Sequence, residues 1–197
     1  LFDRLASVYT QENHYQVAKT YNTLSKEVAI RLNDRKLLTL SKIIEAKIEF
    51  YNDTEMALGY MYEAKSLLNE DMSVRINCHN DLGILTAKLL LNFQEIEAIK
   101  SLQTEIDAAI ARATKIEYPG AIIRAHYLAA VVAYLTGGEH ESLEKVDYHL
   151  NACLSDSIRN GITKQVPQIY CLFALKAERE GQPKKSVYAY FQTMLMH

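Results

Sequence analysis

No tryptophan occurs in this 197-residue chain, and three prolines, seven glycines and three cysteines are all that punctuate it. So few turn-formers exclude the loop-dense composition of an all-β domain and leave long stretches dominated by Ala, Leu, Glu, Lys and Gln, which favour helix. Charge of neither sign prevails: 22 Lys plus Arg face 24 Asp plus Glu, a net charge of −2. The basic residues are scattered, as in Arg35-Lys36 and Lys184-Lys185, so there is no electrostatic footprint for nucleic acid. A long apolar run is also missing. The longest, between Ala125 and Leu135, contains His126 and falls short of the ~20 residues a membrane helix needs. Neither nucleic acid nor membrane is therefore an expected partner. Cys78, Cys153 and Cys171 are odd in number, widely spaced and set in apolar helical patterns. That suits reduced core thiols and a cytoplasmic compartment.

What the chain does have is hydrophobic content, 49% of its residues, enough to order a substantial core. Its apolar residues recur in a pattern: large, two spacers, large, small, two spacers, large. The pattern is clearest in Phe2, Leu5, Ala6 and Tyr9, in Tyr127, Ala130, Val131 and Tyr134, and in Tyr170, Phe173, Ala174 and Ala177. Weaker copies sit at Ile44 and Ile48, where Glu45 takes the small position, and at His79, Leu82, Gly83 and Thr86. The equivalent positions Leu5, Ile44, Leu82, Ala130 and Phe173 recur at intervals of about 40 residues. Second helices follow: one begins after Asn13 with Tyr15 and Ala18, one carries Ala57 and Ala64, and one holds Ile96, Ile99, Ile106 and Ile110 at helical spacing. Local punctuation agrees. Asn52-Asp53-Thr54 reads as a turn and N-cap rather than a glycosylation acceptor, Asn92-Phe93 as a break, and Gly137-Gly138 as a turn. Asn160-Gly161 reads as a C-cap, Pro167 and Pro183 as helix openers, and Gly181 as a stop.

These residues resemble the tetratricopeptide repeat, whose standard period of roughly 34 residues is shorter. The stretched period is similar to that of helical-repeat sensor regions in bacterial signalling and transcription regulators. The resemblance implies an all-α fold, a right-handed superhelix of about five antiparallel helix pairs forming one domain over residues 1–197. It also implies a module that holds a protein, a peptide or a small polar effector in its concave groove. The inner-face positions are Thr39, Lys42 and Glu49, then Asn77, Asn80 and Lys88, then Gln168, Glu178 and Arg179, a mixed polar lining. Co-chaperone clamps of this family carry Lys and Asn at the positions that Asp3 and Ser7 take here, so a peptide-carboxylate clamp is not expected. The chain starts at Leu1 without Met or signal peptide and stops at His197 directly after a helix, which predicts a piece of a larger regulatory protein. A constitutive interaction scaffold or assembly subunit, reading no effector, is the alternative.

Catalytic signals are lacking. There is no glycine-rich phosphate loop, no nucleophile elbow and no carboxylate pair whose helical placement forces a shared pocket, so neither enzymatic activity nor a cofactor is expected within the chain. His140 with Glu144 and His149 with Cys153 stand four apart, but two ligands fall short of a zinc site, and no metal is expected. Thirteen tyrosines exceed the packing positions. Tyr60 and Tyr62, like Tyr188 and Tyr190, cannot both face a core two apart on one helix, so one of each pair is expected on the surface, at an interface with a partner or a second copy.

Overall fold

The computed structural model describes the backbone of residues 1–50, 52–68, 74–137 and 140–195, and the side chains of these except 140–142, 190–191 and 194–195. It is all helix, with no strand among the described residues. The chain divides into two compact units, Leu1–Leu91 and Asn92–His197. The first holds α1 (Phe2–Gln11), α2 (Tyr15–Leu32), α3 (Arg35–Glu49), α4 (Thr54–Leu67) and α5 (Val74–Leu91). Each helix packs on the next, and α1 also reaches α3. In the second unit α6 (Ile96–Lys115), α7 (Pro119–Thr136), α8 (His140–Asn160), α9 (Val166–Arg179) and α10 (Pro183–Leu195) do the same, with α7 touching α9. Packing mainly between consecutive helices is compatible with a helical-repeat array.

Small residues set the helix approach. Ala6, Ala18, Ile44 and Ile48 form one core across α1, α2 and α3, flanked by Tyr9, Tyr15 and Tyr21. The Tyr9 and Tyr21 rings stack 5.5 Å apart, nearly parallel. Ile43, Ala46, Ala57, Met61, Ala64 and Ile84 form the next core, across α3, α4 and α5. Gly83 is the close-approach point: a Cβ there would stand 2.6 Å from Met61 Cε. In the second unit Ile123, Ala130, Val146, Leu150, Ile169 and Leu172 join α7, α8 and α9. The repeat positions Ile44, Leu82 and Ala130 are buried, whereas Leu5 and Phe173 are half-buried.

Two buried asparagines tie helices together across these cores. Asn22 of α2 donates its amide to the Ser41 carbonyl of α3 at 3.1 Å, and Asn80 of α5 donates to the Met61 carbonyl of α4 at 3.0 Å. The side-chain carbonyl of each accepts no hydrogen bond.

One helix-ending device recurs five times. After α1, α2, α6, α8 and α9 the residue in left-handed conformation is Asn13, Asn33, Glu117, Gly161 and Gly181, with φ of 60, 52, 50, 63 and 67°. In each case the next residue returns its N–H to a carbonyl five residues back: His14 to Tyr9, Asp34 to Ala29, Tyr118 to Ala113, Ile162 to Ser157, Gln182 to Ala177. This is the Schellman motif, which satisfies orphan carbonyls at a helix end. Asp34 and Asp53 cap the following helices by accepting from Leu37 N–H at 3.0 Å and Met56 N–H at 2.9 Å. Pro119 and Pro167 stand in first turns and Pro183 begins α10, where a missing N–H is harmless.

Two expectations are adjusted, and a third falls partly outside the described residues. The helix read around Tyr127 begins at Pro119, because proline's fixed φ starts a helix as readily as it ends one. Ile96 opens α6 but is 51% exposed, while Ile99 and Ile106 are fully buried. Gly137 is extended after α7, and Gly138, expected to share that turn, lies outside the described residues.

Candidate functional site

In the first unit the expected polar lining is closed by its own ion pairs. Lys42 Nζ lies 2.9 Å from Glu45 and 2.6 Å from Glu63, and 4.9 Å over the Tyr60 ring. Partial burial alone would lower its pKa, but the two glutamates outweigh that and hold the ammonium above the usual lysine range. Glu45 also meets Lys26 of α2 at 2.8 Å, and Glu49 meets Lys19 at 3.8 Å. These pairs explain how an acid occupies the small position at Glu45: lysines from two helices neutralise it. The space left here, bounded by Lys19, Asn22, Glu45, Glu49 and Tyr60, is about 70 Å³. It suits a water or two and no larger ligand.

Asn80, assigned to the open lining, is 0% exposed and belongs to the α4–α5 interface. Helical spacing placed it on the right helix, but the face it occupies is covered by α4. Thr39 is likewise buried, its hydroxyl donating to the Arg35 carbonyl. Asn77 and Lys88 are half-buried on α5. Exposure matches the expectation for Tyr62, which faces solvent while Tyr60 is half-buried. Tyr188 is exposed, and the side chain of Tyr190 lies outside the described residues.

The second unit separates its three candidates. Arg179 turns toward α7, donating to the Tyr134 carbonyl at 2.7 Å with its guanidinium 5.3 Å over that ring. Glu178 accepts from the Ser186 hydroxyl of α10 at 3.0 Å. Gln168, exposed, lies beside a cleft of about 660 Å³ with Ile158, Lys164, Pro167 and Tyr170. With its amide nitrogen turned inward it donates to the Lys164 and Gln165 carbonyls at 3.1 and 3.0 Å.

Next to that cleft lies one of about 350 Å³ between α8, α9 and α10. At its base is Lys176, 6% exposed, whose Nζ is 2.9 Å from Asp147 of α8 and 2.6 Å from Glu180. Burial opposes its charge, yet hydrogen bonds to Glu180 and Asp147 raise its pKa above the ordinary lysine value. Tyr170, Phe173 and Tyr188 supply aromatic walls, and Lys185 stands at the edge. A volume of some 300–1,000 Å³ with aromatic walls and a few fixed charges is the usual make-up of a small-ligand or peptide-anchor site. Sequence reading passed over Lys176. The signal was there: a lysine within Ala174-Leu175-Lys176-Ala177, four residues before Glu180.

Titratable groups away from the clefts form one further cluster. His126 of α7 and His149 of α8 are paired ring to ring, and the Tyr148 ring meets both edge-on. The thiol of Cys153 donates to the Ile123 carbonyl at 3.2 Å. Burial first and Asp156 second push that thiol up to about 12, far from a reactive thiolate. All three cysteines are unbridged. Among the described residues no group of three or more His, Cys, Asp or Glu side chains could hold a metal ion, and no helix is long and apolar enough to cross a membrane. No protein-family model matches the chain, and no curated protein is significantly similar to it.

Proposed function

We propose that this chain is the ligand-binding helical-repeat part of a larger bacterial regulatory protein, a right-handed tetratricopeptide-like superhelix of about five antiparallel helix pairs that binds a protein segment, a peptide or a small polar effector. The observation that carries the reading is the aromatic-walled cleft over the Lys176–Asp147–Glu180 cluster. A buried, doubly paired lysine holds three polar groups in fixed positions beside open apolar surface, and such preorganisation favours binding of a defined ligand over non-specific contact. Binding works through stabilisation. A ligand bridging α8 and the α9–α10 pair favours the arrangement in which the cleft is formed, and an attached output domain responds to that shift.

The alternative, a constitutive scaffold, is favoured by the closed ion pairs of Lys42 and Glu49 and by the exposed Val187 and Tyr188 of α10. A thermal-shift screen of peptides and small polar metabolites separates the two. A true effector at 100 times its Kd adds about 2.7 kcal/mol to stability, and the gain disappears in Tyr188→Ser. If no compound raises the unfolding temperature while a partner protein still binds the variant, the scaffold reading replaces this one.

A further inference from the structure

The cleft between α8, α9 and α10 separates two charges of opposite sign. Asp147 and Glu180 share a single buried ammonium, that of Lys176, at 2.9 and 2.6 Å. Two carboxylates on one lysine leave a surplus negative charge. Asp147 is the more open of the two, its side chain 46% exposed against 21% for Glu180. The compensating charge stands apart. Lys185 of α10 lines the same cleft, is exposed, and makes no ion pair with a carboxylate among the described residues. Two acids and two lysines therefore make the cleft neutral as a whole, with an anionic side on α8 and α9 and a cationic edge on α10.

Aromatic surface accompanies these charges. Tyr170 and Phe173 of α9 are half-buried, and Tyr188 of α10 is 62% exposed. Such faces bury an apolar body and attract an ammonium held near them.

Charge complementarity narrows the ligand. An anion would meet Asp147 and Glu180, a dication would meet Lys185, and a neutral polyol would bring a counter-charge to neither. A zwitterion with an apolar body answers all three features. The cleft volume of about 350 Å³ lies at the low end of the roughly 300–1,000 Å³ of small-molecule sites, which suits one small molecule better than a run of peptide. An amino acid carries ammonium, carboxylate and side chain on a single carbon.

Deepening the binding-module reading above, on which it rests, we infer that this cleft binds a free amino acid with a large apolar or aromatic side chain. The α-ammonium bonds the Asp147 carboxylate beside Glu180, the α-carboxylate meets Lys185, and the side chain lies against Tyr170, Phe173 and Tyr188.

The test is calorimetric titration of the purified chain with L-phenylalanine and L-leucine. Three comparison ligands each lack one feature: phenylalaninamide the carboxylate, N-acetylphenylalanine the ammonium, and glycine the side chain. Phenylalanine or leucine is expected to bind, and each comparison ligand to bind about tenfold or more weakly, the loss of one charge-assisted contact or of the apolar body. Lys185→Gln is expected to weaken the amino acid by a similar factor and to leave phenylalaninamide unchanged, because that ligand has no carboxylate to lose. Asp147→Asn, which keeps an acceptor for Lys176, is expected to weaken both. Lys36→Gln and Tyr62→Ser, exposed in the first unit, are expected to change nothing. Unchanged helicity and melting confirm that a variant is folded, and Lys185→Gln carries the test if Asp147→Asn is not. Comparison ligands that bind as well as the amino acid, or an amino-acid affinity that survives Lys185→Gln, overturn the inference. If no amino acid binds but another compound of the thermal-shift screen stabilises the chain and loses that effect in Tyr188→Ser, the inference falls and the module reading stands. If no compound of either kind binds, both fall.

Discussion

The imidazoles of His126 and His149 face each other across the α7–α8 interface with their Nδ1 atoms 2.9 Å apart. One nitrogen must donate and the other accept, so the contact tolerates a single shared proton and not one on each ring at those positions. Burial lowers the pKa of His126 against the opposing pull of Asp156. Burial and then the His126 charge lower that of His149 against Asp107.

Protonation therefore favours the unfolded chain, where each ring titrates near 6.5. Above that pH the contribution of the pair to stability is fully present. It is lost as pH falls from there toward the lowered native values. Melting temperatures recorded from about pH 8 down to about pH 5, above the main carboxylate range, are expected to fall in the wild type. The fall is expected to be shallower in His149→Gln. Equal slopes in the two proteins would remove the pair from the acid response.

Glu117 performs at φ 50° a job done by glycine after α8 and α9. Left-handed backbone costs a side-chain-bearing residue about 1–2 kcal/mol, partly offset by the entropy glycine loses on folding. Glu117→Gly is expected to raise stability by about 0.5–1 kcal/mol, and Gly181→Val to lower it by about 1–2 kcal/mol, because a β-branched residue resists positive φ. Urea midpoints that move in these directions at constant slope check both.

Gly83 sits mid-helix, where alanine is ordinarily better by about 1 kcal/mol. Met61 Cε and Sδ stand in the way of the added methyl, and Met61 is itself buried. Overpacking of about 1–3 kcal/mol should exceed the helical gain, so Gly83→Ala is expected to destabilise the wild type. In a Met61→Ala background the same change is expected to stabilise. A double-mutant cycle showing no such reversal would deny that Met61 is what requires glycine.

Reversing Lys42 sets a third carboxylate against Glu45 and Glu63. Because Glu63 is more than half exposed, the loss should lie between that of a surface pair and a buried one, about 2 kcal/mol. Lys42→Glu/Glu63→Lys is expected to recover part of it. Equilibrium unfolding of the wild type, Lys42→Glu, Glu63→Lys and the double variant decides whether Lys42 is structural or free to contact a ligand; an unchanged midpoint for Lys42→Glu would return it to the groove.

What the sequence made legible was local. Asp53 as an N-cap, Gly161 and Gly181 as stops, and Pro167 and Pro183 as openers depend on a few adjacent residues, so their chemistry is visible without the fold. The split between Tyr60 and Tyr62 follows from helix geometry alone. The candidate lining was less legible because availability depends on other helices. Lys42 answers to Glu63 on α4, Asn80 to a carbonyl on α4, and Arg179 to one on α7. Nothing near those residues in the chain announces these partners. The His126–His149 pair is the extreme case, two residues 23 apart whose encounter depends on how α7 and α8 align.

The two buried asparagines also govern how helices may slide. In interfaces built from Ala, Ile and Leu the burial term itself has no direction, so register there rests on steric fit such as that of Met61 against Gly83. An amide is directional. Moving α5 along α4 by a single step would separate Asn80 from the Met61 carbonyl and strand a second buried polar atom beside the Oδ1 that already lacks a partner, at about 1–3 kcal/mol. Asn22 sets the same penalty between α2 and α3. Each asparagine therefore acts as a detent, adding a directional stop to an interface otherwise held in register by shape alone.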